Sequence, residues 1–257
     1  MARKYIEATI GFKKDIGKIR ISNDDECRIV LNSYKEVLMV LADGMGGQNK
    51  GDYASSTTVN FLCEEFLKKP KFITYIDAMI WIANKIKKIN TLLYNTQDKD
   101  ENYRGMGTTL VVALLVGNKI VVINIGDSRC YLVNNKKLVQ ITEDQTYVNY
   151  LYKSGIIEEK DMATNPNRHV LTNSLGCFPS VSFDKFIINY TGQSIFLCSD
   201  GLYNNVSIKD IEAILNTTDE THIKVDSLIE LANYNGGSDN ISCCLWEPIK
   251  KWLILTI

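Results

Sequence analysis

The amino-acid sequence predicts an α+β fold, with central antiparallel sheets and helices packed outside them. Three observations lead there. Two long stretches, 52–68 and 73–95, contain neither proline nor glycine and repeat apolar residues at helical spacing. A run from Thr108 to Thr142 is rich in β-branched residues and is broken by Gly117-Asn118 and Asn134-Asn135, the composition of hairpin turns. The strands of that run are almost continuously apolar, which calls for cover on both faces rather than one wet face.

Taken in order, YIEATI at 5–10 and VLMVLA at 37–42 read as strands, and the two long helices follow them. The 108–142 run reads as an antiparallel meander. Residues 143–180 are more polar and irregular, punctuated by Gly155, Pro166 and Pro179, with one short helical stretch near 146–154; this suits a surface flap. Strands return near 182–188 and 195–199, helices near 207–215 and 222–233, and a last strand near 241–247 that Pro248 should end.

With 257 residues, 45% hydrophobic and 23% charged, the chain can bury a substantial core, and 1–257 reads as one domain. A net charge of -1 offers no overall attraction for nucleic acid or an anionic membrane. The start, MARKYIEATIGF, lacks the apolar run of a secretory signal, and no stretch approaches the ~18 apolar residues that span a bilayer. Cys27, Cys63, Cys130, Cys177, Cys198, Cys243 and Cys244 show no C-x-x-C spacing and read as reduced core thiols. Together these features lead to the expectation of a cytoplasmic protein.

The chemistry is concentrated at strand ends. VLMVLADG delivers Asp43-Gly44, VVINIGDS delivers Asp127-Ser128, IFLCSDG delivers Asp200-Gly201, and Asp239 sits just before the apolar run ISCCLW. Buried strands place their last side chains at defined positions, and carboxylates brought into one pocket repel one another, which favours a divalent cation. In Asp43-Gly44-Met45-Gly46-Gly47 the unencumbered backbone can turn the Gly44 carbonyl toward such a cation. Arg20 precedes Asp24 and Asp25: its planar guanidinium suits a phosphoryl group, and the two acids suit metal-bound waters.

These segments resemble the metal-dependent protein phosphatases of the 2C type, in the bacterial single-domain form. The likeness runs over nearly the whole chain in order. It rests on Arg20 to Asp25, Asp43-Gly44-Met45-Gly46-Gly47 with Gly51 and Ala54-Ser55, Gly107-Thr108-Thr109, Gly126-Asp127-Ser128-Arg129, Val170-Leu171-Thr172 through Leu175-Gly176, Ser199-Asp200-Gly201-Leu202 and Ser238-Asp239-Asn240.

The resemblance implies a four-layer α-β-β-α sandwich with two central antiparallel sheets, within which 143–180 is the flap; the short apolar extension at 248–257 runs past the usual end of a minimal member. It implies two Mn²⁺ or Mg²⁺ ions, with Asp43 bridging them, Gly44 adding its carbonyl, and Asp200 and Asp239 completing the set. A third ion would sit at Asp127 and Asp200. The implied reaction is hydrolysis of phosphoserine and phosphothreonine in proteins by a water bridging the two ions, without a phosphoenzyme, Arg20 engaging the phosphate. The implied partners are phosphoprotein substrates of a Ser/Thr kinase, with the enzyme itself monomeric. A catalytically weak phosphoprotein-binding regulator of the same fold and a two-metal nuclease are the alternative readings.

Oxygen-only donors argue against zinc, and no cysteine has an arginine six positions later, as a cysteine-phosphatase loop requires. Met45 stands where some members carry a histidine, so metal-bound water is expected to protonate the leaving group. His169 and His222 read as surface or packing residues. Departures from the family pattern gather in the flap, at Asp144-Gln145-Thr146, Asn165-Pro166, His169 and Asn173, where they bear on substrate choice and turnover rather than on the carboxylates. The tail residues Trp252, Leu253, Ile254 and Leu255 are expected to pack along a sheet edge.

Overall fold

The computed structural model describes residues 7–46 and 50–249. Strands β1 (Ala8–Asp15), β2 (Asp25–Leu31) and β3 (Val37–Met45) lead into helices α1 (Lys50–Lys68) and α2 (Tyr75–Lys99). Strands β4 (Gly107–Thr108), β5 (Leu110–Val116), β6 (Lys119–Ile125), β7 (Arg129–Asn134) and β8 (Lys137–Gln140) follow. The flap carries α3 (Tyr147–Lys153) and α4 (Glu159–Met162). Then come β9 (Asp184–Asn189), β10 (Ser194–Cys198), α5 (Asp200–Tyr203), α6 (Ile208–Leu215), α7 (Thr221–Tyr234) and β11 (Ile241–Pro248).

The strands form two antiparallel sheets, one ordered β1-β11-β10-β7-β8 and the other β2-β3-β5-β6-β9, with β4 paired to β3. Alternation along each strand divides the core into three layers. In β3, Leu38, Val40 and Ala42 pack with Leu62 and Phe66 of α1 and Ile82 and Ile86 of α2, whereas Val37, Met39 and Leu41 turn inward to meet Ile195, Leu197, Cys244 and Trp246 of the other sheet. The outward residues Phe196, Cys198, Cys243 and Leu245 pack beneath Ile211 of α6 and Leu228 of α7. The order is helices, sheet, sheet, helices, the expected four layers. Each fully buried side chain of this kind contributes roughly 1.5–3 kcal/mol.

The helices begin and end where local chemistry directs. Thr74 caps α2, its hydroxyl accepting the Asp77 amide hydrogen at 3.2 Å, and the helix runs on to Lys99, past the expected end. All seven cysteines are free thiols, six of them buried. No helix among the described residues is long and apolar enough to cross a membrane.

The structure departs from the sequence reading in several places besides the end of α2. The first strand covers 8–15, and residues 5 and 6 lie outside the described ones. Strand β2, DECRIVL, was not expected: its two acids and an arginine mask an alternation in which Cys27 and Ile29 face the core. Helices α4 and α5 were not expected either, and helices of four residues are too short to show a period. The second turn centres on Asn135 and Lys136, with φ of 48° and 66°, one residue beyond Asn134-Asn135. Finally, the run 108–142 is not one meander. β5 and β6 pair in one sheet, β7 and β8 in the other, so the chain changes sheets at Gly126-Asp127-Ser128. Gly47 and the tail from 250 onward, including Trp252 to Leu255, lie outside the described residues.

Candidate functional site

That change of sheets sets Asp127 at the rim between the two layers, and the other strand-end acids reach the same place. A cavity of about 1240 Å³ is lined by Asp43 and Gly44 from β3, Asp127 from the β6–β7 turn, Asp200 from the start of α5, and Asp239 from the segment before β11. Arg20 and Asp24 line it as well. Asp25 does not: it is fully buried beneath the floor, where its Oδ2 accepts the Ser199 hydroxyl at 2.7 Å.

Short polar contacts hold these groups in register. The Asp43 amide donates to Thr109 Oγ1 at 2.9 Å, and Thr109 and Ser128 join their hydroxyls at 2.8 Å, linking the β3 end to the Asp127 turn. Asn240 accepts the Asp24 amide hydrogen at 2.9 Å and donates to the carbonyls of Ile16 and Ser22, tying the Arg20–Asp25 loop to the Asp239 segment. Glycine is needed where backbones meet: a β-carbon at Gly44 would come within 2.1 Å of the Gly51 carbonyl oxygen, and one at Gly201 within 1.9 Å of that of Asn240.

The electrostatics are those of crowded acids. Burial, then Asp25, Asp200, Asp127 and Asp239 in turn, push the Asp43 carboxyl well above the usual carboxylate range. Asp127 is pushed to about 8, mainly by burial and then by Asp200 and Asp144. Asp25 is pushed to about 7 by burial, with Asp200 and Asp239 adding to the effect of desolvation. Asp239 is raised by burial and then by Asp200, with the Asn240 amide and Arg20 opposing the shift. The carboxylates ring the cavity rather than converge on a point: among the described residues no three acidic, thiol or imidazole groups close into one coordination sphere. Such spacing is what mutual repulsion favours.

The donor set fits hard divalent cations. Oδ1 of Asp200, which lines the cavity, is buried without a hydrogen-bond partner, an arrangement that costs about 1–3 kcal/mol unless something positive satisfies it. The four carboxylates and the Gly44 carbonyl offer oxygen donors, which suits Mg²⁺ or Mn²⁺, although His169 and Cys177 line the same cavity.

Arg20, expected to engage phosphate, is paired with a carboxylate. Its Nη2 donates to Asp239 Oδ2 at 2.8 Å, the two side chains being 54% and 33% exposed. Three further features escaped the sequence reading. His169, read as a surface or packing residue, lines the cavity with Nδ1 3.7 Å from Asp200 Oδ2, and that carboxylate raises its pKa. Asn240 acts as the tie described above. Arg129 grips Asp144 through Nε at 2.9 Å and Nη2 at 2.7 Å and lies 3.5 Å over the Tyr203 ring, whose hydroxyl donates to the Asp127 carbonyl at 3.2 Å. A shared cavity brought His169 into place, and no local pattern announces that. The Ser-Asp-Asn and Gly-Asp-Ser-Arg segments did carry a signal for the other two.

Comparison with known proteins agrees with this geometry. Residues 19–231 match the family Protein phosphatase 2C. The serine/threonine phosphatase stp of Listeria monocytogenes is 36% identical over 239 residues, 92% of this chain and 94% of that protein. The crystal structure of the serine/threonine phosphatase Stp1 from Staphylococcus aureus superposes with a TM-score of 0.89 at 33% identity, covering 96% of this chain and 97% of the other. The catalytic domain of the phosphatase PstP, in complex with 2 manganese ions, superposes at 0.81 with 28% identity over 93% of this chain and 97% of that one.

Proposed function

The chain belongs to the protein phosphatase 2C family, and from that premise we propose that its carboxylate cavity hydrolyses phosphoserine and phosphothreonine in proteins. The reaction is metal-dependent phosphomonoester hydrolysis with Mn²⁺ or Mg²⁺. One observation carries the residue assignment: Asp43, Asp127, Asp200 and Asp239 line one cavity beside Arg20.

Asp43, the Gly44 carbonyl, Asp200 and Asp239 would hold two cations, and Asp127 with Asp200 a third. When bound, the cations supply Lewis-acid activation of water and of the phosphoryl oxygens. The chain's own residues do the rest. Asp25, below the floor, adds a fourth carboxyl beside Asp43, Asp200 and Asp239, and a bound cation would favour its ionised form. Asp24, at the cavity wall, is placed to orient water. Arg20, only half-buried and held by one carboxylate, is free to exchange that contact for a phosphate oxygen.

The reading extends to a single catalytic domain that acts as a monomer in the cytoplasm and opposes a Ser/Thr kinase in signal transduction. Mn²⁺-dependent release of phosphate from a phosphothreonine peptide tests the activity, with chelator-treated protein as control. A protein that released no phosphate at any Mn²⁺ concentration would instead fit a phosphoprotein-binding regulator.

A further inference from the structure

Gln145 stands at the root of the flap, and every polar group it has is in use. Its backbone amide donates to the Gly126 carbonyl at 3.0 Å, and its backbone carbonyl accepts from the Thr172 amide at 2.8 Å and the Thr172 hydroxyl at 3.0 Å. Oε1 of its side chain accepts from the Gly126 amide at 2.9 Å and from Asn173 Nδ2 at 2.8 Å. Nε2 donates to Asp184 Oδ2 at 2.7 Å and, more weakly, to the Asn124 carbonyl at 3.4 Å.

These contacts converge from three directions. Gly126 precedes Asp127 in the turn between the sheets, Thr172 and Asn173 form the returning leg of the flap and line the cavity, and Asp184 opens strand β9. We propose that Gln145 is the positioning residue that fixes the flap against the cavity, tying the Asp127 turn and β9 to the leg that carries Thr172 and Asn173. An amide suits this place because one arm must accept from two donors while the other donates to a carboxylate. A carboxylate cannot do the second task, and a hydrocarbon can do neither.

Q145E separates the two arms. It keeps the accepting oxygen for Gly126 and Asn173 but sets a second oxygen against Asp184. Q145E/D184N restores the bond with its polarity reversed. The first readout is cleavage by trypsin at the exposed flap residues Lys153 and Arg168, which does not depend on activity. Q145E is expected to be cut there about fivefold faster than wild type, and Q145E/D184N within about twofold of wild type.

The second readout rests on the proposed phosphatase activity. With excess Mn²⁺, the KM of Q145E for a phosphothreonine peptide rises about fivefold while kcat changes less than about twofold, and the double variant recovers. Wild-type flap cleavage in Q145E, or a double variant no better than the single, overturns the proposal. So does a lowered melting temperature with uniform cleavage along the chain and an unchanged KM, the mark of a purely structural residue. If Q145E does not fold, the neutral Q145M takes its place, and wild-type flap cleavage in Q145M is equally decisive. Wild type that releases no phosphate defeats the functional reading alone, since the cleavage arm still decides the role of Gln145.

Discussion

Asp25 and Asp43 stand directly opposite each other across the β2–β3 ladder, two carboxylates on one face of a sheet with Asp25 fully buried. Like charges in that relation oppose folding. A sheet that tolerates them at its functional end favours a cation there, and the cost should be visible when none is supplied.

The first prediction concerns pH. Asp25 and Asp127 have folded values of about 7 and about 8, above the 3.8 of an unperturbed aspartate. Between the unfolded and folded values the native state holds protons that the unfolded state has lost, so stability falls as pH rises through that window. The chelator-treated protein is expected to melt at lower temperature at pH 8 than at pH 5.5, and Mn²⁺ should remove most of the difference. Asp25→Asn should stabilise the chelator-treated protein at pH 8 by on the order of 1–3 kcal/mol, seen as a higher melting temperature. A thermal scan in which wild type and Asp25→Asn have the same pH profile would count against the account.

Asp200 and Arg20 should fail differently. Asp200 serves two of the proposed cation positions, so Asp200→Asn should cut turnover at least about 100-fold and weaken Mn²⁺ binding measured by calorimetry. Arg20→Ala should mainly raise KM for a phosphopeptide, about tenfold, as one charge-assisted phosphate contact is lost. Its exposed pairing with Asp239 implies a stability change within about 1 kcal/mol. Wild-type turnover of Asp200→Asn at limiting Mn²⁺ would refute the assignment.

Arg129 and Asp144 form a two-bond ion pair at 21% and 19% side-chain exposure, stacked on Tyr203. Removing one partner strands the other charge, so Arg129→Ala should destabilise by about 2–4 kcal/mol in urea denaturation. Arg129→Lys should recover little, because an ammonium cannot reproduce the fork or the ring stacking.

Gly201 lies against backbone rather than a movable side chain, its missing β-carbon only 1.9 Å from the Asn240 oxygen. Gly201→Ala should therefore cost more than about 3 kcal/mol and displace Asp200 and Asp239 together, abolishing activity. Gly155→Ala is the contrast: its φ is +70° but no atom lies within 4 Å, so only backbone strain of about 1 kcal/mol is expected. Equal effects in denaturant melts would undo the argument.

The layers were largely legible in the chain because apolar runs such as Leu110–Val116 are buried along their whole length and so advertise cover on both faces. The acids at Asp43, Asp127, Asp200 and Asp239 were legible for a related reason, since each ends or adjoins such a run. Strand β2 was not, because Asp25, Glu26 and Arg28 interrupt its apolar alternation; Asp25 and Glu26 serve contacts to Ser199 and Lys14 that lie elsewhere in the chain. His169 was not, because nothing near it in sequence distinguishes a histidine facing Asp200 from one facing water.

By itself the sequence determined the long helices, the apolar strands and which acids stand at strand ends, because hydrophobic period and turn chemistry act over a few residues; it did not determine β2, α4 or α5. The tertiary structure alone decided that β6 and β7 belong to different sheets, that Arg20 meets Asp239 across 219 positions, and that Gln145 joins the flap to β9. Those outcomes depend on shape and hydrogen-bond complementarity between surfaces that meet only once the layers have packed.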